Sequence, residues 1–517
     1  MIEVAGLCDR IVKWGLVVLI AFTPLAFGTV EPWSMAFMEW CTVTLFLVFL
    51  LGGLWRAERQ PEAAGRFSGL ELPTGLFLLF CMFQTVPLPA RWVAWLSPGS
   101  SRLYQAGDLQ GWRQAEDRAA GGTKRTDLVL DVQEPRLRSL SVQPGKTWNR
   151  IELCVGLLGL FLLISRWADR PEKIVFLLGT VTVVGFFVAL EGLVQFLTWN
   201  GKIFWVRKVP PSSAFGPFVN HNHFAGYVEM VIPVAIGMAF HCVDARRRST
   251  RSEGRLSSTW ASLDDPARMA GGVGWSQAGL AIFAATLLVV TLFLSLSRGG
   301  ILSATIGGLF LFALVWRRIS SRLARWLVAL TLPIAALALI AWIGSGAIRQ
   351  QIGTFQKMES ETSFRLRSLI WQTVLRELPQ YAWVGSGLGT FEDSFAPFTP
   401  PGSSKRWDKA HNDYLQLLWE TGIIGCALVL FGVLVFVRRY WWPAIQGRAH
   451  PLGIFRVAAA VSLASIALHS LVDFNLQIGA NAFLCVLLAG LLVAMQHVEQ
   501  EQSAKRPVLV HLRETTA

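Results

Sequence analysis

Charge is scarce in this chain. Only 16% of its 517 residues are Asp, Glu, Lys or Arg, while 53% are hydrophobic, and mean hydropathy is +0.45. That balance excludes a string of ordinary soluble domains. A disulfide framework is also missing: the seven cysteines are odd in number, lie in or beside apolar stretches, and include no CxxC pair suited to a metal. No internal repeat of either transporter kind is visible. The first apolar block is too long, and too poorly followed by small residues, for a removable signal peptide.

What is present is a series of apolar blocks of about 18 to 24 residues, enough at about 1.5 Å per residue to cross roughly 30 Å of hydrocarbon. Twelve spans are expected, near 11–30, 36–55, 69–87, 151–166, 173–198, 223–243, 277–296, 299–316, 326–345, 413–437, 453–473 and 477–496. The block at 69 carries Glu71 and Pro73, and the block at 151 is short and carries Glu152. Several of the 22 tryptophans, among them Trp14, Trp167, Trp316 and Trp441, stand at block ends, where an aromatic belt anchors helices. The fold class is therefore an all-α polytopic membrane protein.

In a soluble protein the net charge of +13 would suggest nucleic acid. Here it sets orientation, and no nucleic-acid partner is expected. With the N-terminus cytoplasmic, the short inner loops near 56–68, 166–173, 244–275, 317–325 and 438–452 hold 19 basic residues, while the short outer connections hold Lys202, Arg207, Lys208 and Arg298. The positive-inside rule then puts both termini inside. Two outer loops, 88–150 and 346–412, are long enough, at about 60 residues, to escape the rule. The first contains the short apolar runs LVLDV and LRSLSV, compatible with strands. In the second, residues 364–378 have helical apolar spacing and lead into the turn-rich GSGLGTF, so a small folded lid is expected. The inner stretch 244–275 is polar, Ser-rich and aperiodic, and reads as a flexible tether.

Polar groups in or at the edge of a membrane are expensive to bury and mark sites by default. Five sets fall on the outer face of this topology. The first is FVNHNHFAGYVEM, with Asn220, His221, Asn222 and His223. A His-x-His pair suits a metal, but no third ligand is close in sequence, so helix capping and a polar network are the stronger expectation. The second is SLSRGG, where Arg298 separates two spans. It either snorkels to headgroups or, with Ser297, Gly299 and Gly300 leaving backbone amides nearby, offers a planar donor fork to phosphate. The third is the loop helix with Arg365, Arg367 and Arg376, either a solvated face or a clamp for an anionic headgroup.

The fourth set is KAHNDYLQLLWETGIIG, in which His411 lies at the mouth of the span that starts near Asp413. The positive end of a helix dipole favours a neutral imidazole there, able to take a proton from an attacking hydroxyl. Capping is the competing role. The fifth is HSLVDFNLQ, with His469, Asp473 and Asn475; an intramembrane Asp needs a nearby Arg or His as partner. Glu39, Glu191 and Glu229 also lie within or close to spans and suggest no more than interior polar contact. A base, several arginines and an acid on one face suit transfer chemistry on a lipid-linked pyrophosphate.

These residues resemble the O-antigen ligase and polymerase family of bacterial inner-membrane proteins. The most specific likeness is His411-Asn412, nine residues, then Gly422 and Gly425, which is similar to that family's H-[NSQ]-x9-G-x-x-G pattern. SLSRGG looks like its Ser-Arg-Gly element, and Arg367 with Trp371, followed by VGSGLGTF, looks like its loop helix and Gly-rich exit. FVNHNHFAGYVEM and HSLVDFNLQIGANA are similar to segments of a subset of the family. The likeness covers roughly 215–500 well and the first 200 residues mainly by hydrophobic pattern.

The resemblance implies a GT-C-like arrangement, with a large, partly helical periplasmic loop. It divides the chain into N-terminal transmembrane helices (1–200), a ligase-like core (201–500) and a cytoplasmic tail (501–517). It further implies metal-independent, inverting glycosyl transfer from undecaprenyl diphosphate to an acceptor hydroxyl on the periplasmic side of the inner membrane, with no cofactor. The acceptor is lipid A core, a growing polysaccharide or a protein hydroxyl; nothing in the sequence selects one. By this likeness Arg298 and Arg367 grip the diphosphate, with Arg365 a close competitor for the role of Arg367, and His411 is the base or positions the acceptor. Ser297, Asn222, His223, Asp473 and Asn412 are second-tier polar contacts. A non-enzymatic transporter of lipid-linked glycan is the reading from a different class; it calls for a midplane cavity with broken helices, whereas the polar clusters crowd one face.

Overall fold

The computed structural model describes residues 2–57, 67–107, 137–209, 213–256, 273–316, 365–399, 407–446 and 450–514. The long elements are helical: α1 (Ile2–Leu25), α2 (Pro32–Ala57), α3 (Glu71–Gln84), α4 (Pro144–Trp167), α5 (Pro171–Leu197), α6 (His221–Leu256), α7 (Val273–Leu294) and α8 (Arg298–Trp316). They continue with α9 (365–377), α10 (Asp413–Phe436), α11 (Gly453–His469) and α12 (Gly479–Glu514). Among the described residues eight helices are long and apolar enough to cross a membrane, namely α2, α4 to α8, α10 and α12; α3 and α11 are shorter apolar helices. The chain is an all-α polytopic membrane protein. The expected span at 326–345 and the run LVLDV lie outside the described residues.

Several boundaries differ from expectation, among them the ends at Glu514 of α12 and Leu256 of α6 and the starts of α1 and α4. The tether reading of 244–275 is corrected in its first part, because α6 continues without a break to Leu256. Extending an existing helix needs no new nucleus, and Ala and Arg are good helix formers, so the basic stretch simply propagates it. Likewise α4 starts at Pro144 and not near 151, since proline is tolerated in a first helical turn, where its missing N–H has no partner to lose.

The chain divides into two compact units, one of Met1–Arg66, Gly156–Met358 and Val437–Ala517, the other of Phe67–Val155 and Glu359–Phe436. In the first unit, α6 packs against α5, α7, α8 and α11. Its spanning window is 72% buried, against 22% for α2, so α6 is a central strut whereas α2 turns Trp40, Leu47 and Leu54 outward, the face that acyl chains cover. Between α8 and α11, Leu311, Val315, Val457 and Val461 form a buried cluster. Gly307 leaves no room for a Cβ against Ser465, the close approach that small residues allow between membrane helices.

In the second unit, Ile370, Val374, Tyr381, Phe391, Phe395, Ala410 and Trp419 form one core. Burying each large aromatic side chain contributes about 2 to 3 kcal/mol relative to exposure. The Trp419 indole is fully enclosed and donates to Ser394 Oγ at 2.7 Å. The run LRSLSV does supply a short strand, Leu137–Arg138, antiparallel to Leu88–Pro89. Around it the long loop and the end of α3 brace the glycine-rich turn: Ser97 Oγ donates to the Gly385 carbonyl at 2.9 Å, Val142 N–H to the Ser386 carbonyl at 2.9 Å, and Gln84 Nε2 to the Val384 carbonyl at 2.7 Å.

Candidate functional site

In the second unit the site is built around the entrance to α10. Asn412 is the N-cap, its Oδ1 accepting from the N–H groups of Tyr414 and Leu415 at 3.0 Å each. His411 therefore stands one residue outside the helix, in a left-handed conformation (φ 50°) that non-glycine residues rarely hold without surrounding restraint. The restraint acts on Ala410, which is fully buried. Its N–H donates to Gln416 Oε1 at 3.1 Å and its carbonyl accepts from Trp371 Nε1 at 2.9 Å. Trp371 is one helical turn beyond Arg367 on α9, so the same face of that helix carries the arginine and the clamp on the His411 segment. Arg367 is half-buried, Arg365 is exposed, and Arg376 is exposed and paired with its neighbour Glu377 at 2.8 Å.

The two glycine elements answer one geometric demand. Gly422 has φ 61° and ψ −168° inside α10, a kink that releases backbone groups on both sides. The turn at 382–387 takes them up: Ile423 N–H donates to the Ala382 carbonyl at 2.7 Å, Ser386 N–H to the Trp419 carbonyl at 3.1 Å, and Gly387 N–H to the Glu420 carbonyl at 3.0 Å. A Cβ on Gly422 would lie 2.5 Å from the Trp383 backbone. Glu420 completes the join, accepting from Gly389 N–H at 2.7 Å, from Phe391 N–H at 3.3 Å and from Gln416 Nε2 at 2.9 Å. Lys409, also half-buried, is held below the ordinary lysine range by burial and then by repulsion from Arg150, with Glu420, Asp408 and Glu392 opposing.

In the first unit the SLSRGG turn has its own frame. Ser297, fully buried, is the N-cap of α8, its Oγ accepting from Gly300 N–H at 3.2 Å. Arg298 is the first helical residue and is exposed. The preceding Leu296 is left-handed (φ 58°), and the Ser295 carbonyl lies 2.8 Å from His221 Nδ1. The two imidazoles of His-x-His thus take different partners, because the buried His223 has Nε2 3.9 Å from Asp473 Oδ1. Asp473, just past the end of α11, thus has a histidine as its neighbour. Asn481 Nδ2 ties the same corner to the His223 carbonyl at 3.0 Å and to Asn475 Oδ1 at 3.1 Å. Asn222, in the first turn of α6, donates its N–H to Asn220 Oδ1 at 2.9 Å.

One residue carries more than its sequence context suggested. Glu229, fully buried on α6, bonds Ser303 Oγ of α8 through Oε2 and faces Nδ1 of the buried His469 of α11 through Oε1 at 3.2 Å. The available signal was a carboxylate and a histidine in two spans, each needing a partner. Their separation of 240 residues left them unmatched.

The helical architecture defines the class: a multi-pass membrane protein with polar groups buried at two corners. The family model for O-Antigen ligase matches residues 283–430. These residues carry the O-antigen ligase domain, and the match supports the O-antigen ligase family for the chain. It takes in Ser297, Arg298, Arg365, Arg367, His411, Asn412, Gly422 and Gly425, while Asn222, His223 and Asp473 lie outside it. No curated protein matches the chain.

Proposed function

We propose that this protein moves a glycan from undecaprenyl diphosphate to an acceptor hydroxyl, acting at the periplasmic face of the bacterial inner membrane with both termini cytoplasmic. The acceptor oxygen attacks the anomeric carbon from the face opposite the diphosphate. The carbon–oxygen bond to the carrier breaks, the configuration inverts, and the acceptor proton passes to His411. Arg367, or Arg365 as its competitor for that role, and Arg298 are the groups proposed to bind the diphosphate and neutralise the charge it gains as it leaves. Guanidinium groups supply that neutralisation without a metal ion, so transfer is expected to survive chelation. Ser297, Asn222, His223, Asp473 and Asn412 support these groups as polar neighbours, and the reading keeps the division at 1–200, 201–500 and 501–517.

The observation that carries this reading is the bond from Trp371 to Ala410. It fastens the helix of Arg367 to the residue before His411, which supports a shared role for the proposed anion-binding group and the proposed proton acceptor. The test is transfer from a purified undecaprenyl-diphosphate-linked donor, with lipid A core, a second carrier-linked repeat and a protein hydroxyl offered as acceptors. His411→Ala is expected to insert normally and to abolish transfer to whichever acceptor the native protein uses. Full activity in that variant would remove His411 from the mechanism.

A further inference from the structure

A carboxylate and a histidine buried together between membrane helices are costly unless they serve a site. Glu229 joins three helices at once, through Ser303 on α8 and His469 on α11. The imidazole it holds is wedged under the first turn of α8. A Cβ on Gly299 would lie 2.9 Å from both His469 Nε2 and Cδ2, and 2.9 Å from Val472. A Cβ on Gly300 would lie 2.5 Å from Ala225 and 3.3 Å from His469 Cε1. The ring therefore abuts the backbone just after Arg298, with only glycine between them. Its orientation is set from the opposite edge, where Nδ1 meets the carboxylate, the arrangement by which a second group fixes a histidine's ring plane and tautomer.

We propose that Glu229 and His469 are positioning residues for Arg298: the carboxylate fixes the imidazole, and the imidazole fixes the turn from which the guanidinium reaches its anion. This rests on the reading of Arg298 as a diphosphate contact. The pair touches neither carrier nor sugar, so its loss weakens donor binding and leaves the bond-making step largely alone. Gly299 and Gly300 are glycine because the ring and Ala225 occupy the space a side chain would need.

The experiment measures KM for the undecaprenyl-diphosphate-linked donor, and kcat, on the full-length protein in nanodiscs. Glu229→Ala and His469→Ala are each expected to raise donor KM about tenfold with kcat within about twofold. Glu229→Gln keeps an acceptor toward Nδ1 and a polar group toward Ser303, and should restore KM to within about twofold of native. Gly299→Ala reaches the same turn from the other side, and should raise donor KM even if the alanine variant of His469 fails to insert. On an Arg298→Ala background the Glu229→Ala effect should vanish, because the group being positioned is gone. A fall in kcat at constant KM, or full additivity with Arg298→Ala, would overturn the proposal while leaving Arg298 as a diphosphate contact. An Arg298→Ala variant with unchanged donor KM would sink that reading, and this one with it.

Discussion

Trp371 Nε1 donates a 2.9 Å hydrogen bond to the carbonyl of Ala410, 39 residues further along the chain. Ala410 is also held at its N–H by Gln416, so both peptide groups leading into His411 are fixed. A left-handed His411 persists only under such a hold.

Replacing Trp371 with Phe keeps a ring in place and removes the indole donor. The buried Ala410 carbonyl loses its partner, at about 1 kcal/mol of stability. With His411 in its proposed role, transfer should fall by about tenfold or more, because displacing such a group costs rate far faster than it costs stability. Thermal unfolding together with a donor-transfer assay checks this; equal losses in both, or neither, would contradict it.

The kink in α10 gives a second expectation. Gly422→Ala asks an L-residue to adopt φ 61° and drives its Cβ into the Trp383 backbone, so destabilisation of about 2 to 3 kcal/mol should follow. Gly308→Ala is the contrast, since nothing lies within 4 Å of that Cβ, and within a helix it should be neutral or stabilising by up to about 1 kcal/mol. Melting temperatures of the two variants in the same detergent decide the matter. A tolerated Gly422→Ala would mean that the helix does not need its break.

Lys409 makes stability depend on pH in a definite direction. Burial, then Arg150, lowers its folded-state value from the ordinary 10.5. Between that lowered value and 10.5 the unfolded chain binds the extra proton, so stability rises with pH through the window. Relative to Lys409→Met, the native protein should gain stability as pH climbs toward the ordinary lysine value of 10.5. Parallel unfolding curves across that range would refute it.

Much of the architecture could be read in advance because hydropathy is a local property: each apolar block tests its own fit to the bilayer. The same locality let Arg298 stand out as a lone charge at a hairpin and let His411 be placed just ahead of Asp413. Three features were not readable, for one reason. The partnership of Glu229 with His469, the bracing of the Gly385 turn by Gln84 and Ser97, and the seating of Gly387 on the Glu420 carbonyl all join residues far apart in sequence, and a span's composition says nothing about which neighbour it meets. The run of α6 to Leu256 was missed differently. Its polarity suggested a loop, but a helix already nucleated in the membrane extends through polar residues at little cost.

The nine residues 413–421 between the His411-Asn412 pair and Gly422 act as a ruler with an angular scale. At about 100° of turn and about 1.5 Å of rise per residue, they fix how far His411 stands from the break in α10 and toward which compass bearing it points. One residue added to or removed from this stretch would swing the imidazole through more than a quarter of a circle while leaving every side chain of the Gly385 turn in place. Beyond the contacts of Gln416, Trp419 and Glu420, it is the length of this stretch that is under constraint.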